Sequence, residues 1–285
     1  MLVALLTACG GRGPDDVVVG SKNFTEQRIL GELLAQTAES VGLHAERKLD
    51  LGGTFVCDAA IRAGQIDMYV EYTGTALAAI LKEEPAGRSP RQIYERVRDV
   101  YAKDDLVWLD PLGFDNTFAL VIRGEDAQRL GVRTISDAVP HARGWTAGFG
   151  YEFKERADGY AGLRQAYGIE FGNVRVMDLG LLYRALMDRQ VDLAVGSATD
   201  AQIERLSLTM LRDDRSYFPA YEAAPIVRRE ALDAHPALAD ALRRLAGSVS
   251  VASMRRANNR VDGEHASPAE AARELMSSIK PAGRE

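Results

Sequence analysis

The sequence predicts an α/β protein built as two doubly wound lobes, and three observations predict it. Short apolar runs alternate with segments whose apolar residues recur at helical spacing, the pattern that places helices against a parallel sheet. That pattern runs once, breaks, and restarts. Finally, "GQIDMYVEYTGT" (Gly64 to Thr75) is echoed by "RQVDLAVGSATD" (Arg189 to Asp200): Gln, a branched aliphatic, Asp, Met or Leu, one residue, Val, then a short polar stretch. The echo ends in Tyr72 the first time and in Ser197 the second.

Taken in order, "VVVGSKNF" reads as a buried strand running into a polar turn. "TEQRILGELLAQTAESVG" follows as a helix, with Thr25 the expected cap and Gly42 the end. "HAERKLDLGG" is a strand and turn, "TFVCDAAIRAG" a helix, and "IDMYVEY" a strand. In the second lobe "NTFALVIRG" is a strand, "TISDAVPHA" a short capped helix, and "WTAGFG" a strand into a glycine turn. "GYAGLRQAYG" is then a helix and "VRVMDLG" a strand, before "LLYRALMDRQ" and "VDLAVGS" complete a helix-strand unit matching the first. Trp108 to Asn116 and Asp213 to Tyr221 are the expected crossings, and the stretch from Ala231 on is helical and returns to lobe one. The expected boundaries are 1–16 for a signal and linker, 17–110 with 217–285 for lobe one, and 111–216 for lobe two.

A chain of 285 residues, 46% hydrophobic and 27% charged, has the composition of an ordinary globular protein with room for two cores. Its net charge of −6 excludes a nucleic-acid partner, which needs a basic stripe. The Lys/Arg-rich stretches Arg88 to Arg98 and Arg243 to Arg260 read as solvated helix faces. The start, "MLVALLTACGG", is an apolar run too short to span a bilayer, and its Leu6 to Cys9 resembles a bacterial lipobox. Cys9 is then the lipidated residue, tethering an extracytoplasmic chain to the membrane. The second cysteine, Cys57, lies on an apolar helix face as a small core residue.

The four histidines are scattered, none with a second His or a Cys within a helical turn, so no metal site is expected. No nucleophile elbow, P-loop or dinucleotide fingerprint occurs, and no cofactor is expected. Without a paired acid and base in the turn motifs the chain reads as a binder and not an enzyme. Ligands of parallel α/β sheets sit outside the carboxyl ends of strands. The turns after "IDMYV" and "VDLAV" are such ends, which makes Tyr72 and Ser197 equivalent positions on opposite walls of a cleft. Lys22, Thr75, Asn116, Phe118, Arg156 and Tyr221 also fall at strand ends or loops.

"GSKNFTEQRILGELLAQ", "LGGTFVCDAAIRAGQIDMYVEYTGT", "GFDNTFAL", "RADGYAGL", "TDAQI" and "YFPAYEAAPIVRRE" resemble, in order and over nearly the whole mature chain, the substrate-binding proteins of osmoprotectant ABC importers. That resemblance implies a type II periplasmic-binding-protein fold whose lobes close on glycine betaine, choline or a relative at a two-segment hinge. It implies a permease and an ATPase as separate partner chains. By motif, Lys22, Thr75 and Arg156 would hold a ligand carboxylate. Tyr72, Phe118 and Tyr221 would form an aromatic cage for the quaternary ammonium, with Asn116 beside it. Ring faces suit a cation that has no N–H to donate. The chain departs from the family's tyrosines at Phe118 and Ser197, where the second wall is expected to have lost its ring. An enzyme of the same fold, a dehydratase or deaminase of small acids, and a ligand-sensing module are the alternatives.

Overall fold

The computed structural model describes residues 13–85 and 87–279, so Cys9 lies outside the described residues. Among the described residues ten strands form two sheets of five. They are β1 (Asp16–Lys22), β2 (His44–Gly52), β3 (Met68–Tyr72), β4 (Leu106–Trp108), β5 (Phe118–Arg123), β6 (Thr146–Phe149), β7 (Asn173–Val176), β8 (Leu193–Ser197), β9 (Leu208–Met210) and β10 (Ala223–Arg228). The first sheet runs β2-β1-β3-β10-β4 and the second β7-β6-β8-β5-β9.

The two orders are the same order. In each sheet three parallel strands are followed by one antiparallel strand, β10 or β5, and then by a short edge strand. The antiparallel member is in both cases the strand the chain enters on crossing from the other sheet. This corrects the expectation of purely parallel sheets. Strands β4, β9 and β10 are also absent from the sequence reading. In β10 the reason is Pro225, which marks a run against a central strand, yet Pro225 pairs with Val70 in the middle of the first sheet. The equivalence drawn from the echo holds: β3 and β8 occupy the same place, with Tyr72 and Ser197 as their last residues.

Both faces of each sheet are covered. On the first, Ile29, Leu33 and Leu34 of helix Thr25–Glu39 pack between the sheet residues Val17, Val19 and Met68 and the C-terminal residues Leu238, Met254 and Leu275. The last segment thus packs on the first sheet. On the other face Cys57, Ile61, Tyr69 and Ile226 form a separate cluster. Each such side chain contributes about 1.5–3 kcal/mol when fully buried. Burial pushes the Cys57 thiol up to about 12, so it is an unreactive core residue. The second sheet divides likewise, Leu120 and Ile122 facing one cluster and Ala119 and Val121 the other.

Helix ends follow the sequence in part. Thr134 caps helix Ile135–Ala142 through the amide of Asp137. Thr25 does not cap its helix: Phe24 holds the cap position, and the Thr25 hydroxyl donates to Asp262 at 2.7 Å. That bond ties the first helix to helix Val251–Asp262 across most of the chain length.

Candidate functional site

The carboxyl ends of β1 and β3 in one sheet face β5 and β8 of the other across a cavity of about 410 Å³. Lys22, Tyr72, Thr75, Asn116, Phe118, Arg156 and Ser197 line it. Tyr221 does not. It is 2% exposed and packs edge-on behind Phe118 with ring centroids 5.6 Å apart, its hydroxyl donating to Asp158 at 2.7 Å. A side chain in that place supports the Phe118 ring.

The cations are already engaged. Lys22 Nζ donates to Glu71 at 2.5 Å and to Thr54 at 2.9 Å, with the Tyr72 ring centroid 5.2 Å away. Arg156 forks onto Asp158 at 2.8 and 2.5 Å and reaches Thr75 Oγ1 at 3.2 Å. Its guanidinium also lies 5.2 Å from the Phe118 ring. Burial pushes the Glu71 carboxyl up while the Lys22 charge opposes it. In this arrangement the two expected carboxylate-binding cations each have an acid partner behind the wall.

Carboxylates missed in the sequence complete the site. Glu26, in the first turn of its helix where the macrodipole favours an anion, accepts from Tyr72 Oη at 2.6 Å, Asn116 Nδ2 at 2.7 Å, Asn258 Nδ2 at 3.2 Å and the Thr199 hydroxyl. Burial raises its pKa against the bonds from Thr199, Tyr72 and Asn258. Glu152 accepts from the Thr54 amide, and from its hydroxyl at 3.0 Å. Burial pushes its pKa up, but the Lys22 and Arg156 charges and the two Thr54 bonds together hold it below the ordinary value. A Cβ at Gly53 would lie 2.2 Å from Glu152 Oε1, so glycine there lets the two sheets meet. Glu26 follows the "SKNF" turn by one residue, at the start of the helix that leaves β1.

The second wall has not lost its aromatic. Phe118 and Ser197 are register partners, and Phe118 stands within 4.9 Å of Phe153 and 5.6 Å of Phe218, centroid to centroid. Tyr183, from helix Leu179–Met187, lies against Gly196 and also lines the cavity. On the first wall Phe24 stacks on Tyr72 at 6.4 Å and 20°. No group of residues able to hold a metal occurs among the described residues.

Two sheets of one topology, joined by two crossings and presenting aromatic strand ends to a shared cavity, define a two-lobed solute-binding protein. The family model described as the substrate binding domain of ABC-type glycine betaine transport system matches residues 15–278, and the chain belongs to that family. It is 35% identical to the glycine-betaine-binding protein of Pseudomonas aeruginosa, over 95% of this chain and 90% of that protein. It is 33% identical to the ergothioneine transport permease/ergothioneine binding protein of Helicobacter pylori over 91% of this chain, but spans only 47% of that longer protein. A crystal structure of a glycine betaine/carnitine/choline ABC transporter superposes with a TM-score of 0.76 at 31% identity, covering 92% of this chain and 98% of that one. The family is one of transport substrate-binding proteins, which work outside the cytoplasm. No helix among the described residues is long and apolar enough to cross a membrane.

Proposed function

We propose that the chain binds a quaternary-ammonium solute in the interlobe cavity and delivers it to a permease and ATPase encoded as separate chains, for osmoprotectant uptake. The observation that supports this best is the convergence of Phe24 and Tyr72 from one sheet and Phe118 and Phe153 from the other on a single cavity. Ring faces hold a methylated ammonium at about 0.5–2 kcal/mol per contact. Asn116 orients the first wall through Glu26, and Tyr221 backs Phe118. Lys22, Thr75 and Arg156 form the polar floor, where a ligand carboxylate would share Lys22 and Arg156 with Glu71 and Asp158.

In this reading lobe one comprises residues 17–110 and 217–285 and lobe two residues 111–216, and the anchor is a lipid on Cys9. The ligand leaves unchanged, so the protein is not an enzyme. Thermal-shift and calorimetric titration against glycine betaine, choline and carnitine tests the reading: at least one should bind, and Tyr72→Ala should weaken it. A folded protein indifferent to all three, or one that converts any of them as followed by NMR, overturns it.

A further inference from the structure

Asp200 lies at the lobe-two end of the cavity and takes no part in the ring cage. Its Oδ2 accepts from the Ser197 amide at 2.8 Å and from the Tyr183 hydroxyl at 2.5 Å. The pair is built flat against β8: a Cβ on Gly196 would come within 2.1 Å of Tyr183 Oη and 2.7 Å of Asp200 Oδ2. Both side chains line the cavity, and Asp200 keeps part of its surface open to it.

The charge on Asp200 is unmatched. Among the described residues no Lys or Arg forms an ion pair with it: of the cations lining the cavity, Lys22 is held by Glu71, Arg28 by Asp50 and Arg156 by Asp158. The groups that act on it electrostatically, Glu26 and Asp262, share its sign. Those two accept hydrogen bonds from neutral donors only, Glu26 from Tyr72, Asn116, Thr199 and Asn258, and Asp262 from Thr25. Burial pushes Asp200 up to about 6, which leaves it mostly ionised at neutral pH. An ionised carboxylate so placed is costly until a cation or a donor meets it.

The way from the rings to Asp200 is open. Ser197 is the register partner of Phe118 on a neighbouring strand, a lateral step of about 4.8 Å. A tyrosine at position 197 would stand in that step; serine does not. The cavity volume of about 410 Å³ falls in the range of roughly 300–1,000 Å³ that encloses drug-sized ligands, more than the smallest betaine fills.

We propose that the cleft selects a quaternary-ammonium compound carrying a second, nitrogen-borne hydrogen donor, and that Asp200 accepts from that donor while the rings hold the methylated head. This rests on the quaternary-ammonium reading above and narrows its substrate class. Asp200 is then the specificity-determining residue of lobe two, and Tyr183 and Ser197 hold its carboxylate in place.

Calorimetric titration of glycine betaine, histidine betaine and Nε-trimethyllysine into the wild type and Asp200→Asn tests the assignment. The last two carry an azole N–H and a primary ammonium; the first has neither. At least one donor-bearing ligand should bind the wild type roughly tenfold or more tightly than glycine betaine, because a site with a buried acceptor rejects an analogue lacking the donor. Asp200→Asn keeps an acceptor for Ser197 and Tyr183, and it should shrink that preference by a similar factor. Glycine betaine binding as tightly as both others, or an unchanged preference in Asp200→Asn, overturns the inference while leaving the cage reading standing. Wild-type protein that is folded by circular dichroism yet binds none of the three overturns the inference, and if it binds neither choline nor carnitine the cage reading falls as well.

Discussion

At the scale of single residues the buried acids decide how this cleft behaves. Asp200 has an ordinary value of 3.8 and a folded value of about 6. Below the first, both folded and unfolded chains hold the proton. Between the two, only the folded chain does, so folding loses stability as pH rises from about 4 to about 6, and the loss persists above. Asp200→Asn should therefore raise the ligand-free melting free energy by about 1–3 kcal/mol at pH 8, the lower part applying because the carboxylate partly faces the open cleft. At pH 4 it should have little effect. Thermal melts at both pH values check this, and an equal shift at both removes the electrostatic account. Arg156 gives the opposite sign. Its partner Asp158 is 6% exposed, so Arg156→Ala strands a buried carboxylate and should cost about 3–5 kcal/mol of stability. A variant that melts within about 1 kcal/mol of wild type would show Asp158 adequately held by Tyr221 alone. Most candidate site residues were legible because aromatics and cations at strand ends stand out. Glu26 and Asp200 were not, since an isolated carboxylate in a sequence reads as a solvated charge until the fold shows what surrounds it.

At the scale of elements, the echoed strands explain why one turn needs glycine where the other does not. Glu71 of β3 and Gly196 of β8 occupy the same place in the two strands, yet β8 must let Tyr183 and Asp200 lie on its backbone. Gly196→Ala should push the Tyr183 ring out and destabilise the protein by about 1–3 kcal/mol, the usual range for overpacking. Tyr183→Phe removes the oxygen nearest the new methyl, so the double variant should recover part of that loss. Denaturant titration of the two singles and the double gives the coupling; strict additivity would mean that the backbone, and not Tyr183, sets the need for glycine. Strand and helix placement was readable wherever the period was clean. It failed for β10, where Pro225 masks a central strand, and for β4 and β9, which are three residues each and too short to show a period.

At the scale of the whole molecule, the hydrogen bonds that reach from one sheet's elements to the other's fall into two groups. Thr54 with Glu152, Thr75 with Arg156 and Glu26 with Thr199 run through the cavity, so altering them alters the wall as well. Arg255, like the bonds of Asn258 to the Thr199 carbonyl and of Tyr221 to Asp158, lies off that wall. From helix Val251–Asp262 it donates to the Ala198 carbonyl from Nε at 3.0 Å and Nη2 at 2.7 Å, and it is not part of the cavity wall. It therefore holds the β8 turn against the first lobe without touching the place where a solute sits. If the closed arrangement is the one competent to bind, losing Arg255 lowers the fraction of molecules in that state, and apparent affinity falls by the same fraction. The two bonds to one carbonyl are worth about 0.5–1.5 kcal/mol net each, so Arg255→Ala should weaken ligand binding by at most roughly 5- to 150-fold. The ligand-free variant should also show a larger radius of gyration by small-angle X-ray scattering, whereas ligand-saturated wild type and variant should scatter alike. Weakened binding with no change in the ligand-free radius would place the effect in the β8 turn itself, and unchanged binding would remove Arg255 from the closure equilibrium altogether.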